Sequence, residues 1–236
     1  MTYLKGPDRA EYVREMFGQI SCHYDLINRL MTLGQDRSWR RQVVREALLP
    51  KGGRFLDVGT GTGDIALEAL RLDSTIRVTA VDFSFRMINV GRGRPGGKRI
   101  LWCCADALKL PFADATFDAV TSGYLIRNVI DARRAFEEQM RVVKPGGRVV
   151  CLDTAPAPRN VLRLPVLFHL KIVIPLLGTL IARNRAAYRY LSQSTQAFMT
   201  PEQLASIMRS AGLKDVYYRR FMFGTMAVHT GLRPTI

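Results

Sequence analysis

Apolar positions recur along the chain in two periods, and the alternation between them predicts the architecture. From about residue 11 to residue 50, Val13, Met16, Phe17 and Ile20, then Trp39, Val43, Val44 and Ala47, fall at helical spacing. Pro50-Lys51-Gly52-Gly53 breaks that pattern. Beyond it, short apolar runs at Arg54–Val58, Val78–Val81, Ile100–Cys104, Phe117–Thr121 and Arg148–Leu152 read as strands. Helical stretches follow at Ile65–Leu70, Phe85–Val90 and Ala132–Val142. Strands separated by helices in this rhythm need crossover connections, which implies a mostly parallel sheet with helices on both faces.

After Asp153 the rhythm changes. Pro156, Pro158 and Pro165 interrupt an apolar stretch. Thr200-Pro201-Glu202-Gln203 then opens a helix, with Thr as cap and Pro at the first position, and Gly212 stops it. Asp215–Phe223 and Met226–Thr230 read as two closing strands about a turn at Gly224, an antiparallel pair at the sheet edge. The pattern predicts one α/β domain over residues 1–236. It divides into a helical cap at 1–50, a ligand-binding core at 51–153, an apolar lid at 154–200, and a closing helix and strands at 201–236.

Composition alters this picture only through charge. With 236 residues, 47% hydrophobic and 23% charged, the chain can bury a sizeable core. It carries 35 Lys+Arg against 20 Asp+Glu, a formal charge of +15. Between Thr154 and Pro201 there is no carboxylate, yet Arg159, Arg163, Lys171, Arg183, Arg185 and Arg189 fall there. Such a surface suits an anionic membrane or a nucleic acid, and charge alone does not choose between them. Val161–Ala182 is long enough to raise the question of a membrane span. Arg163, His169, Lys171, Pro165 and Pro175 interrupt it, so a segment lying on a membrane or roofing an apolar pocket fits better. Met1–Ala10 lacks the apolar run of a secretory signal. Cys22, Cys103, Cys104 and Cys151 lack metal-ligand spacing, so no metal site is expected. Three of them sit in strand-like runs as small hydrophobes, and the setting expected is reducing and cytoplasmic.

The chemistry gathers at the ends of the predicted strands. Asp57-Val58-Gly59-Thr60-Gly61-Thr62-Gly63-Asp64 joins the first strand to its helix, where glycines let backbone turn tightly and approach a ligand. Asp82 closes the second strand roughly 20 residues on, where a carboxylate can accept from both hydroxyls of a ribose. Asp106-Ala107 follows the third strand, placed to bond an adenine amino group. The glycine spacing is not that of the dinucleotide fingerprint, and Asp57 lies two residues before it. Both details favour a methyl donor, S-adenosylmethionine, over NAD.

These motifs, with Val143-Lys144-Pro145-Gly146-Gly147, are those of class I methyltransferases, whose fold is Rossmann-like: a mostly parallel seven-stranded sheet with an antiparallel edge strand. Nearly end to end, the chain resembles the menaquinone/ubiquinone biosynthesis C-methyltransferases. The specific resemblance lies in Tyr24-Asp25-Leu26-Ile27-Asn28, Ser38-Trp39-Arg40, Arg127-Asn128-Val129 and Tyr188-Arg189-Tyr190-Leu191 with Ser194. The chain departs from it at Leu125, where family members often carry glycine. The resemblance implies S-adenosylmethionine contacts from Thr62, Asp82, Asp106, Ala107 and Gly123. Asp57, Gly59, Gly61, Gly63 and Phe83 complete the expected donor site.

The expected reaction is methylation of a ring carbon of a prenylated hydroquinone, a demethylmenaquinol or related benzoquinol. The alternative is another small phenolic or lipophilic acceptor. Ring carbon is a poor nucleophile until the adjacent phenol ionises, so the site needs a group to hold the phenolate. Arg127 and Asn128 are the first choice, with Tyr24 and Asp25 brought in from the helical cap and His23 as another base candidate. Arg127 could instead pair with Asp131 at a helix start. The expected setting is the inner face of the membrane, with peripheral contact to anionic lipid; a homodimer is compatible with the sequence. Arg92, Arg94, Lys98 and Arg99 suggest RNA as a rival substrate, but basic loops are usually solvated and no RNA-binding module accompanies them, so nucleic acid is not expected.

Overall fold

The protein was analysed as a computed structural model, which describes residues 6–32, 34–157, 161, 163–174, 176, 179 and 185–235. The predicted lid at 154–200 therefore lies partly outside the described residues, and so do the side chains of Cys22, His23 and Tyr24. Two helices open the chain, α1 (Gly6–Met31) and α2 (Asp36–Glu46). Strands and helices then alternate: β1 (Arg54–Val58), α3 (Asp64–Leu72), β2 (Arg77–Asp82), α4 (Phe85–Gly93), β3 (Leu101–Cys104), β4 (Phe117–Gly123), α5 (Ala132–Val142) and β5 (Val143–Thr154). A short helix α6 (Arg163–Phe168) runs into a wider turn at His169–Val173, followed by α7 (Arg185–Gln196) and α8 (Pro201–Ser210). Strands β6 (Lys214–Phe221) and β7 (Met226–Leu232) close the chain.

The strands form one seven-stranded sheet in the order β3-β2-β1-β4-β5-β7-β6. Strands β1 to β5 pair in parallel, while β7 runs antiparallel between β5 and β6. The predicted closing pair is thus an antiparallel hairpin at one edge, and β3 forms the other edge. That edge position leaves Cys104 exposed and Cys103 half-buried, whereas Cys151 on β5 is buried. Of these three, only Cys151 fills the interior as the sequence led one to expect.

Strand alternation distributes the core. Leu56, Val58, Val81 and Val120 face a cluster with Phe136 of α5 and Leu204 and Met208 of α8. Phe55, Val78, Ala80 and Ala119 face the opposite cluster, with Trp39 and Val43 of α2 and Ile65 and Ala66 of α3. A third cluster lies apart from the sheet, where Met16, Ile20, Ile27 and Met31 of α1 meet Leu170, Ile174 and Tyr188. Helix α8 is fixed by a capping box, with Thr200 accepting from the Gln203 N–H and the Gln203 side chain accepting from the Thr200 N–H.

Candidate active site

Strand register gathers the predicted motifs at one end of the sheet. Val58 lies opposite Val81 and Ser122, and Asp82 opposite Cys104. The glycine loop, Asp82, Asp106 and Gly123 therefore emerge side by side, where open parallel sheets place their ligands. Gly59, Gly61 and Gly63 all take left-handed backbone, at φ of 66°, 57° and 84°. The turn is pinned to β2, since Thr60 N–H donates to the Val81 carbonyl at 2.9 Å and Gly61 N–H to Asp82 Oδ2 at 2.7 Å. The other Asp82 oxygen accepts from Ser84 N–H at 2.7 Å. Burial pushes the Asp82 carboxyl above its ordinary value, and these N–H bonds oppose that shift.

A cavity opens over these groups. Gly59, Gly61, Asp82, Phe83, Asp106, Ala107, Gly123 and Asn128 line it, and Val13, Arg14 and Phe17 of α1 close it from above. A Cβ built on Gly61 would meet nothing within 4 Å, so the loop presents bare backbone there. Phe83, Met87 and Leu108 offer apolar surface beside the two carboxylates. The set fits S-adenosylmethionine: a carboxylate for the ribose, a polar and apolar pair for the adenine, and glycine backbone for close approach.

Three members of the expected donor set stand behind the loop instead. Asp57 is buried, accepting from Thr60 Oγ1 at 2.6 Å and Thr121 Oγ1 at 2.8 Å. Burial pushes its carboxyl up to about 6, against the opposing hydroxyl bonds. Thr62 donates to Asp25 Oδ1 at 2.7 Å. At Gly63 a Cβ would come within 2.5 Å of the Trp102 ring, so glycine is needed there for packing. Asp25 belongs to the same back wall and is not among the residues lining either cavity. Burial raises its carboxyl, helped by Asp64 and opposed by Thr62 and Arg94. Arg94 bridges Asp64 at 2.7 Å and Asp25 at 3.2 Å and donates to the Thr62 carbonyl at 3.0 Å. The sequence suggested a solvated basic loop; Arg94 instead ties α1 to the glycine loop.

A second cavity lies beside the first, and Tyr124 lines both. Its walls are largely apolar, with Met31 from α1, Val166, Leu170 and Ile174 from the α6 segment, and Met222 and Phe223 before β7. Arg127 is the buried cation among its described lining residues. The pairing considered with Asp131 does not form, because Asp131 caps α5 by accepting from the Arg134 N–H. Arg127 Nη1 reaches Asp153 Oδ1 at 2.7 Å, its backbone N–H donates to Oδ2 at 3.1 Å, and its guanidinium lies over the Tyr124 ring at 5.2 Å. Asn128 points its amide back to the Tyr124 carbonyl at 2.8 Å and accepts from the Tyr190 hydroxyl at 3.4 Å. Arg127 and Asn128 thus divide between the two cavities, one residue lining each. Tyr24 is carried on α1, but its side chain lies outside the described residues.

Several site residues escaped the sequence reading. Asp153 carried no signal except its place at the end of a strand. Tyr124 takes left-handed backbone, at φ 58°, which nothing in its residue type announces. Leu125, singled out in the sequence only as a departure from the family pattern, packs on the glycine loop, its Cδ1 within 2.7 Å of a Cβ built on Gly59, and lines the first cavity.

Sheet order, glycine loop and the paired carboxylates define an S-adenosylmethionine-dependent methyltransferase. The solved structure of a SAM-dependent methyltransferase from Aquifex aeolicus superposes with a TM-score of 0.62 at 17% identity, covering 89% of this chain and 97% of that one. Haemonchus contortus phosphoethanolamine N-methyltransferase 2, in complex with S-adenosyl-L-methionine, gives 0.61 at 18%, covering 84% and 52%. Residues 6–233 match the model of the ubiE/COQ5 methyltransferase family, and the chain belongs to that family. It is 49% identical to the ubiquinone/menaquinone biosynthesis C-methyltransferase UbiE of Desulfotalea psychrophila, over 97% of this chain and 92% of the relative. It is 42% identical to the demethylmenaquinone methyltransferase of Thermus thermophilus, over 93% and 100%.

Proposed function

We propose that the protein methylates a ring carbon of a prenylated hydroquinone in quinone biosynthesis. The observation that carries this reading is the pair of adjoining cavities: a polar-lipped one over the glycine loop and an apolar one lined by the buried Arg127 guanidinium, with Tyr124 common to both. S-adenosylmethionine supplies an electrophilic methyl group on a positively charged sulfur. Gly59 and Gly61 give it backbone, Asp82 accepts from its ribose hydroxyls, Asp106 and Ala107 hold the adenine edge, and α1 excludes water from above.

Arg127 holds the ring oxygen as phenolate once its proton has passed to solvent, which drives electron density onto the adjacent carbon; the ring C–H proton that the methyl group replaces then also leaves to solvent. Asp153 fixes the guanidinium plane and offsets its charge in a site short of water. Asn128 braces the Tyr124 turn between the cavities, and Asp25 locks α1 onto the glycine loop through Thr62.

The α6 segment suits an acceptor drawn from a bilayer. Val166, Leu170 and Ile174 line the apolar cavity, while Leu164, Phe168 and Ile172 alternate with them and are exposed. Positions two apart on a helix lie on nearly opposite faces, so the segment is apolar both inward and outward. Exposed Arg163 and Lys171 flank the outer face. This supports peripheral contact with an anionic membrane, with α6 lying in the interface. No helix among the described residues is long and apolar enough to cross a membrane.

The purified protein should convert a demethylated prenylnaphthoquinol and S-adenosylmethionine to a product carrying a new aromatic methyl singlet in its NMR spectrum. Product should form only while a reductant keeps the ring as the quinol, because the oxidised ring lacks the ionisable hydroxyl. Absence of product from every prenylated quinol tried would overturn the reading.

A further inference from the structure

Two buried polar atoms in the acceptor cavity have no use in the chemistry so far described. Asn28, on α1, is 8% exposed, and its amide nitrogen finds no hydrogen-bond partner among the described residues. The hydroxyl of Thr154, at the end of β5, is likewise buried and unpartnered. Both residues line the acceptor cavity, one from the helical cap and one from the sheet. Gln139, Thr230 and His229 also hold buried polar atoms without partners among the described residues, but none of these three lines a described cavity. A buried donor that faces only protein is a standing penalty. One that faces a cavity is a binding group for whatever enters.

We propose that Asn28 and Thr154 bind an oxygen of the acceptor ring other than the one held by Arg127, and so fix which ring carbon faces the methyl donor. The assignment rests on the quinol reading above. Thr154 directly follows Asp153, whose carboxylate orients Arg127. The two oxygen-binding positions are therefore set by consecutive residues of one strand end, with Asn28 supplied by the helix that closes over them. A ring oxygen can accept from the Asn28 amide and from the Thr154 hydroxyl, whereas a hydrocarbon of the same shape would leave both groups unpaired. A site built to hydrogen-bond an oxygen rejects the analogue lacking it more strongly than an apolar pocket rejects a missing methylene.

Thr154→Val and Asn28→Leu keep the approximate shape and remove the donors. Each should raise KM for a prenylnaphthoquinol about tenfold, which is about 1.4 kcal/mol, and leave affinity for S-adenosylhomocysteine within about twofold. The melting temperature should hold or rise, because an unpaired buried donor has been removed. The wild type should bind the prenylnaphthoquinol more tightly than a prenylnaphthol that keeps only the oxygen held by Arg127, and the double variant should bind the two nearly equally. Loss of thermal stability with unchanged discrimination between the two ligands would overturn the assignment and return both residues to a packing role. If the wild type turns over the quinol and both variants keep its KM, the assignment alone falls. If the wild type methylates no prenylated quinol, the proposed function falls, and this inference with it.

Discussion

The two adjoining cavities are built from different materials. The donor cavity is made of strand ends: a left-handed glycine loop, two carboxylates and main-chain N–H groups, all carried on β1 to β4. The acceptor cavity is made of side chains from α1, the α6 segment, α7 and the β6–β7 turn, elements distant in sequence and joined by the small third core cluster. The first is held by backbone geometry that few residue types can supply. The second is held by apolar contact that many can supply. A methyltransferase can therefore exchange acceptors by repacking one cavity while the other stays fixed.

The sharpest test of this division is at Arg127. Arg127→Ala should lower turnover by about 10²-fold or more while donor affinity changes less than about threefold. It should also cost about 3–5 kcal/mol of stability, because Asp153 is left as a buried charge without its partner. Adding Asp153→Ala should restore much of the stability and none of the turnover, measured by denaturant unfolding beside steady-state kinetics. A fall in donor affinity matching the fall in turnover would break the division.

The converse test is Asp82→Ala. Losing two charge-assisted bonds to ribose should weaken donor binding about 10²-fold, with KM for the quinol within about threefold. Isothermal titration with S-adenosylhomocysteine measures the first, and initial rates at saturating donor measure the second.

Asp57 sharpens the donor side through pH. Its folded carboxyl sits at about 6 against an ordinary 3.8, so the native state holds this proton more tightly than the unfolded chain. The stabilising contribution is complete below about pH 4 and is lost as pH rises through 6. Relative to Asp57→Asn, the wild type should lose about 2–3 kcal/mol across that window. Unfolding curves that run parallel from pH 4 to pH 7 would show that the carboxylate is already ionised behind the loop.

The smallest effect belongs to the outer face of α6. Leu164→Asp combined with Phe168→Asp should reduce flotation with anionic vesicles about tenfold or more, in line with the burial of apolar side chains. Turnover of a water-soluble, short-chain quinol should stay within about twofold. Equal flotation would remove this face from lipid contact.

The same division explains what could be read from the chain. Strand runs, the glycine loop, Asp82 and Asp106 were legible because each needs a particular residue type at a particular spacing. Arg127 was legible as a residue but not in its partner, since Asp131 four positions on is a local choice and Asp153 a tertiary one. Asn28 and Thr154 were not legible as binding groups: a polar residue on a helix or strand end usually faces water, and only the packed fold turns these two toward a cavity. Asp57, Thr62 and Gly63 show the opposite limit. They belong to the glycine loop in sequence, yet the fold places them against Thr121, Asp25 and Trp102, behind the surface that meets the ligand.

Trp102 gives that arrangement an optical consequence. Its ring is wedged against Gly63 and Gly91, and its indole N–H donates to the Gly97 carbonyl at 2.8 Å. The sequence holds one other tryptophan, Trp39, sealed in the core at 2% exposure. A loop that tightened around an arriving ligand would press on the indole at Trp102 through Gly63, while Trp39 sits in the core away from that contact. A change in tryptophan emission on adding S-adenosylhomocysteine, absent on adding a prenylnaphthoquinol alone, would make Trp102 a label-free gauge of donor binding.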